Sequence, residues 1–395
     1  MTPHRPAMTL RDVRHAPLKK NTRVLLRVDF NVVVESGRVL DDFRMRQALA
    51  TIHFLLKKGC RIRILAHLGR PEGRRVNSLS LRPLERRLKH ILRRRITFVS
   101  NPLSAGAYRS FDTSRDILFF ENLRFWKGEE RNSREFAKSL SRWGDIYVNE
   151  AFSDSHRAHA SIVRLAQLIP SYAGIRFSEE VRFLGRALKN PRRPFLVVLG
   201  GAKVSTKLSL IRRFLGHADR IIIAGAMANT VFFLRGMEIG YSTAERDKTH
   251  ILSKTLFSNS KILYPVDARV VRHRRITKSA IRVRDTNAIQ GGDFIVDIGP
   301  RSLAAFYREA KRARTILWNG PLGYTDERRF EGGTKKFALF LSRLKSFRIV
   351  GGGETIGVIN RFGLVNTFSH VSTGGGAMLE FLMGEKLPGI SVLES

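Results

Sequence analysis

The sequence predicts an α/β protein built as two doubly wound parallel sheets joined by a helix and a hinge. Three observations predict it. Short β-branched and aliphatic runs alternate with amphipathic stretches along the chain, the sequence form of parallel strands joined by crossover helices. A length of 395 residues suits two or three domains, and 43% hydrophobic against 27% charged residues is ample for packed cores. One helical segment, stopped by prolines, stands alone between the two sets of runs.

In the first half the strand candidates are 23–28, 61–66, 96–99, 117–120 and 146–148. In the second they are 195–199, 220–224, 261–264, 294–297, 315–318 and 348–350, so that each half reads as its own Rossmann-like sheet. Between them the segment 178–189, SEEVRFLGRALK, repeats Val181, Leu184 and Leu188 at helical spacing. Ser178 reads as its N-cap, acids fill its first turn, and Pro191 and Pro194 stop it. The expected organisation is a first domain at 1–177, a helix and linker at 178–193, and a second domain at 194–379. A helix joining two sheets bridges a cleft, and clefts between domains are where ligands usually bind.

Composition excludes several classes. Cys60 is the sole cysteine, so there is no disulfide framework and no cysteine-based zinc site; a reducing, cytoplasmic compartment is favoured, with Cys60 as a packing residue. Residues 1–10 contain Pro3 and Pro6 and no signal-peptide core. The most apolar stretch, 221–234, holds Gly225, Asn229 and Thr230 and is too short to span a membrane; it reads as a buried strand entering a helix. The 71 Lys+Arg against 34 Asp+Glu give a formal charge of +37. The basic clusters (Arg93–Arg95, Arg192 and Arg193, Arg212 and Arg213, Arg272 to Arg275, Arg328 and Arg329) are short and spread along the chain, and no nucleic-acid-binding motif accompanies them. A uniformly basic solvated surface is favoured over nucleic-acid or other polyanion binding.

In open parallel sheets ligands bind beyond the carboxyl ends of the strands. After the first-half strands come Asp29 and Asn31; His67 and Arg70 in AHLGRP; Glu121, Asn122 and Arg124 in ENLRF; and His156, Arg157 and His159 in HRAHAS. Arg44 opens a helix in DDFRMR. Singly these read as surface partners or packed histidines; converging on one edge they make a pocket for a multiply charged anion, because Arg offers bidentate donors to phosphate and carboxylate. The second half carries glycine at the equivalent places: GGAK (200–203), DIGP (297–300), NGPLG (319–323), GGGET (351–355) and STGGGA (372–377). Glycine lets backbone N–H groups approach phosphate oxygens, with Lys203 and Lys207 as neutralising charges. Taken one at a time, the same glycines are merely tight strand-to-helix turns. No Walker loop or GxGxxG fingerprint is present. An anion pocket and a polyphosphate pocket on two domains describe a phosphoryl-transfer enzyme that closes to exclude water.

RVDFNV, AHLGRP, LRFWKGEERN, HRAHAS, LGGAKVS, MANT, WNGP, IVGGGET and SHVSTGGGA follow one another in order. Together they resemble the phosphoglycerate kinase family over nearly the whole chain from Arg23. The resemblance implies reversible phosphoryl transfer between 1,3-bisphosphoglycerate and ADP, with Mg²⁺, giving 3-phosphoglycerate and ATP. It implies 3-phosphoglycerate ligands at Asp29, Phe30, Asn31, Arg44, His67, Leu68, Gly69, Arg70, Arg124 and Arg157, with Arg44 and Lys203 stabilising the transferring group. Nucleotide contacts fall on Lys207, Gly299, Asn319, Asp326, Gly352, Gly353, Glu354 and Thr355, Glu354 facing the nucleotide-borne Mg²⁺; Gly374, Gly375 and Gly376 match the loop that meets the phosphates on closure. Residues 380–395 would return to the first domain, and a monomer is expected.

Departures from the family pattern lie mainly on the nucleotide side. Asp326 and Glu354 exchange the usual Glu and Asp, Ala224 and Ala226 replace glycines, Glu150 and Ser153 stand in VNEAFS, and NVV replaces NVP. The second reading of the same chain is a catalytically weakened protein that binds a polyanion or a partner.

Overall fold

The computed structural model describes residues 9–272 and 280–395, so the basic stretch 273–275 and the first eight residues lie outside the described residues. The chain divides into two compact units, one ending at Arg182 and including Gly384–Ser395, the other Phe183–Met383.

The first unit contains β1 (Arg23–Arg27), the hairpin β2 (Val34–Glu35) and β3 (Arg38–Val39), β4 (Arg61–Leu65), β5 (Ile96–Val99), β6 (Ile117–Phe120), β7 (Ile146–Asn149) and β8 (Ser171–Ala173). Six of them form one parallel sheet in the order β5-β6-β4-β1-β7-β8. Side-chain alternation fills both faces. Val24, Leu26 and Val28 join Ile62 and Ile64 in one core with Ile52, Leu84 and Leu88, whereas Leu25 and Leu65 join Phe120, Leu140 and Trp143 in the other. The last residues of the chain belong to this unit: Arg11 N–H donates to Leu393 O at 3.0 Å and Gly389 N–H to Ser155 O at 2.9 Å.

The second unit has β9 (Phe195–Leu199), β10 (Arg220–Ile223), β11 (Ile262–Leu263), β12 (Asp267–Arg272), β13 (Arg282–Asp285), β14 (Asp293–Ile298), β15 (Thr315–Asn319), β16 (Phe347–Gly351) and β17 (His370–Ser372). Its parallel sheet runs β11-β10-β9-β15-β16-β17. The segment expected as a parallel strand at 294–297 belongs instead to a separate antiparallel sheet, β13-β12-β14. Its partners are arginine-bearing (DARVVR and RVRD), and that composition hid them. The stretch 221–234 is a buried strand followed by the helix Ala226–Leu234, and among the described residues no helix is long and apolar enough to cross a membrane. Cys60 is buried, and burial pushes its thiol pKa up, as suits a packing residue.

The lone helix runs Ile175–Lys189, and the division between the units falls within it. It therefore starts before Ser178, whose N–H already donates to Gly174 O at 2.9 Å. Its cap is tertiary and so invisible in the local sequence. Thr51 Oγ1 accepts from Ile175 N–H at 2.9 Å, and the buried Glu150 carboxylate accepts from Arg176 N–H at 3.0 Å and Thr51 O–H at 2.8 Å. Gly174 makes room for that carboxylate, since a β-carbon there would overlap Glu150 Oε2. Gly174→Ala is expected to cost about 1–3 kcal/mol, read as a lower Tm with the parent's circular-dichroism spectrum.

Candidate functional site

In the first unit the carboxyl ends of β1, β4, β6 and β7 deliver the polar residues. Asp29, just past β1, accepts from the Arg44 guanidinium and, at 2.7 Å, from the Ser153 hydroxyl. Asn31 Oδ1 accepts from Gly69 N–H at 3.1 Å, and Arg124 Nη1 donates to Gly69 O at 2.8 Å. Asn122 fixes the same loop by donating to Leu68 O at 2.8 Å. The side chains of Phe30 and Leu68 turn into the core, Phe30 stacking on Phe119 at 6.1 Å, so they can offer a ligand only their main chain. Arg70 is exposed, Arg157 is half-buried, and Arg157 Nε donates to His156 Nε2 at 3.1 Å.

Beneath these residues lies a buried charged cluster that sequence reasoning missed. Arg27, fully buried at the end of β1, donates to Asp154 Oδ2 at 2.9 Å, to Ser161 Oγ at 3.0 Å, and approaches His67 Nδ1 at 3.0 Å. Ser161 is tied in turn to Glu129 at 2.6 Å. The available signal was an arginine inside an otherwise apolar strand, RVLLR. Burial drives the pKa of His67 well below its ordinary value and that of His159 down to about 4, so both rings are neutral near pH 7. Burial opposes ionisation of Asp154, yet His67, Arg27, Arg124 and Arg157 hold its carboxyl below the ordinary range.

Arg124 is the telling member. Its Nε and Nη2 are buried without a hydrogen-bond partner, the nearest carboxylates, Glu130 and Asp154, standing 3.6 Å away. Buried N–H donors are rarely left open. A phosphate or carboxylate oxygen would complete them.

In the second unit the turns after β9, β15 and β16 come close together. Gly200 N–H donates to Asn319 O at 2.9 Å, and a side chain at Gly200 would overlap Pro321 O. Gly352 has φ 94°, a conformation that favours glycine, and precedes the helix Gly353–Arg361. Glu354 is exposed in that helix's first turn; Thr355 is buried with Oγ1 unpartnered. Lys207 Nζ donates to Gly200 O at 2.6 Å, while Lys203 is exposed. A cavity of about 320 Å³ is lined by Gly201, Gly225, Phe294, Tyr324, Asp326 and Glu354. Gly299 is not among its walls. It lines a neighbouring cavity of about 220 Å³, and Asp297 borders both. Gly374 is buried, Gly375 opens the helix Gly375–Met383, and Gly376 is exposed. Among the described residues no three His, Cys, Asp or Glu side chains gather as metal ligands.

Residues 14–385 match the family described as phosphoglycerate kinase. The chain belongs to the phosphoglycerate kinase family. It is 40% identical over 394 residues to the phosphoglycerate kinase of Dictyoglomus turgidum, covering 98% of each chain. With that of Caulobacter vibrioides it shares 40% identity, over 98% of this chain and 100% of the relative. Among solved structures, phosphoglycerate kinase from Coxiella burnetii superposes with a TM-score of 0.83 at 33% identity, over 98% of this chain and 99% of the other. The Pyrococcus horikoshii OT3 enzyme gives 0.87 at 28%, over 97% and 98%. The chain is thus an enzyme of this family, a phosphotransferase with a carboxyl acceptor, and the family's nucleotide substrates are ATP and ADP. These relatives support the kinase reading and not the weakened polyanion-binding one.

Burial lowers the pKa of Lys207 to about 8, against the opposing pull of Glu354. Lys207 is therefore cationic below about pH 8 and neutral above it. The KM for ATP is expected to rise as pH passes that value. In Lys207→Arg, whose guanidinium keeps its charge, the same titration should stay flat; steady-state kinetics across pH 7–9.5 check this.

Proposed function

We propose that the chain moves a phosphoryl group reversibly between 1,3-bisphosphoglycerate and ADP, the acid substrate lying in the basic pocket of the first unit and the nucleotide against the glycine turns of the second. The observation that carries the acid-substrate site is Arg124, a buried guanidinium with two open N–H edges beside neutral His67 and within a cluster that includes Arg157. Asp29 fits as acceptor for a substrate hydroxyl, being already oriented by Arg44 and Ser153. Asn31 and Arg70 complete the rim.

On the nucleotide side, Asp326 borders the cavity where a ribose would lie, and the backbone N–H groups that follow Gly352 face phosphate. Lys207 neutralises phosphate charge. Phosphoryl transfer asks little covalent help of the protein, because the acceptor is already a carboxylate or a terminal phosphate. Arg44 and Lys203 therefore act by stabilising charge on the transferring oxygens.

The nucleotide is used as its magnesium complex, in which the ion offsets charge on the phosphate oxygens. Such an ion takes most of its oxygen shell from phosphate and water, so one protein carboxylate suffices. Glu354, exposed and bordering the cavity, fits that role. The protein acts as a cytoplasmic monomer, the compartment being supported by its single, buried cysteine.

A coupled assay with 3-phosphoglycerate and Mg-ATP tests the assignment. Arg44→Ala and Lys203→Ala are each expected to lose at least about 100-fold in kcat; parent-like turnover in both would overturn it. Glu354→Ala should lose at least about tenfold, about 1.4 kcal/mol, and Glu354→Asp should keep activity. A magnesium titration in which Glu354→Ala matches the parent removes the carboxylate from the metal's surroundings.

A further inference from the structure

Asp154 lies behind the basic pocket and serves none of the roles assigned above. We propose that it is a positioning residue of the acid-substrate site: through Arg27 and Arg124 it fixes the hydrogen-bonding form of His67 and the aim of the Arg124 guanidinium. The inference rests on reading the basic pocket as the 3-phosphoglycerate site.

The geometry makes the chain of contacts specific. Arg27 can only donate. Its Nη2 lies 2.9 Å from Asp154 Oδ2 and 3.0 Å from His67 Nδ1, so one of its hydrogens goes to each. Nδ1 also stands 3.2 Å from Asp154 Oδ2, but a proton on Nδ1 would face the Arg27 hydrogen across 3.0 Å; the two acceptors therefore share Nη2, Nδ1 carries the ring's lone pair and the proton sits on Nε2. His67 is thereby a neutral N–H donor, the form an anionic ligand can use.

Asp154 Oδ1 stands 3.6 Å from Arg124 Nη2, too far for a hydrogen bond but close enough to attract the guanidinium. The distance leaves Nη2 free for substrate. With Arg124 Nη1 already bound to Gly69 O at 2.8 Å, the guanidinium is oriented before any ligand arrives. Asp154 is also the carboxylate nearest to Arg27, which is fully buried and has no other ion pair among the described residues. Without it three guanidiniums repel one another across the pocket floor and Arg27 is left with an uncompensated buried charge.

Asp154→Asn keeps the shape and one acceptor oxygen while removing the charge. In the full-length variant the KM for 3-phosphoglycerate is expected to rise at least tenfold, while the KM for ATP stays within twofold of the parent. A merely structural role would lower the active fraction, and so kcat, without splitting the two constants. A folded variant, judged by Tm and circular dichroism, whose KM for 3-phosphoglycerate stays within twofold of the parent's, or falls, overturns the proposal. Nitrogen-15 NMR of the parent supplies a measurement that needs no variant. A neutral His67 protonated on Nε2 supports the arrangement, and one protonated on Nδ1 rejects it. Arg124→Ala is the control on the underlying reading: if it too leaves the KM for 3-phosphoglycerate unchanged, the pocket has been misread, independently of what Asp154 does.

Discussion

The polar pocket of the first unit depends on one buried ion pair. Arg27 sits at the end of a central strand where both faces of the sheet are covered, and a guanidinium there is stable only because Asp154, Ser161 and the carbonyl of Val28 take its hydrogens. Asp154 and Ser161 come from the segment after β7, more than 120 residues away, so the pair can form only once β1 and β7 are side by side. Asp29 and His67, each two residues past the end of its strand, are thereby carried to the rim at fixed height. The site's geometry follows from satisfying one charge beneath it.

A second regularity runs through both units: carboxylates from neighbouring segments close the starts of helices. Glu150 caps the helix Ile175–Lys189, and Asp267 accepts from Arg301 N–H at 3.0 Å and Ser302 N–H at 2.8 Å at the start of Pro300–Arg312. Asp297 takes Gly333 N–H at 2.5 Å, and Glu245 takes both N–H and O–H of Ser205. These donors are no longer available to an anion. At the helix Gly353–Arg361 the N-cap is Gly352, which has no side chain to offer, and the acid of its own first turn, Glu354, is exposed.

Much of this was legible in the sequence, for a physical reason. Strands such as Phe195–Leu199 and Ile117–Phe120 are buried on every residue, and an unbroken apolar run is how such a strand reads. The edge strands Ser171–Ala173 and His370–Ser372 were not legible, being three residues long and carrying polar side chains that break an apolar run. The strands β12 and β13 hid behind alternating arginines, and the start of the helix at Ile175 behind a cap supplied by Thr51 and Glu150. In the site, residues directly after strands could be nominated because position alone exposes them. Asp154 could not, since its neighbours Arg27, His67 and Arg124 meet it only in three dimensions.

The charge of +37 invites a connection with the basic pocket, and the physics separates the two. Arg93, Arg94 and Arg95 are exposed, and even the pair of Arg95 with Asp116, 3.1 Å apart, lies largely in solvent. Such charges are screened within about 8 Å at physiological ionic strength. Arg27 and Arg124 are buried, little screened, and already opposed by Asp154 and Glu130. Removing surface arginines would change solubility and the speed of encounter with anions. What the pocket selects is set by how few of its guanidinium hydrogens the protein leaves unfilled.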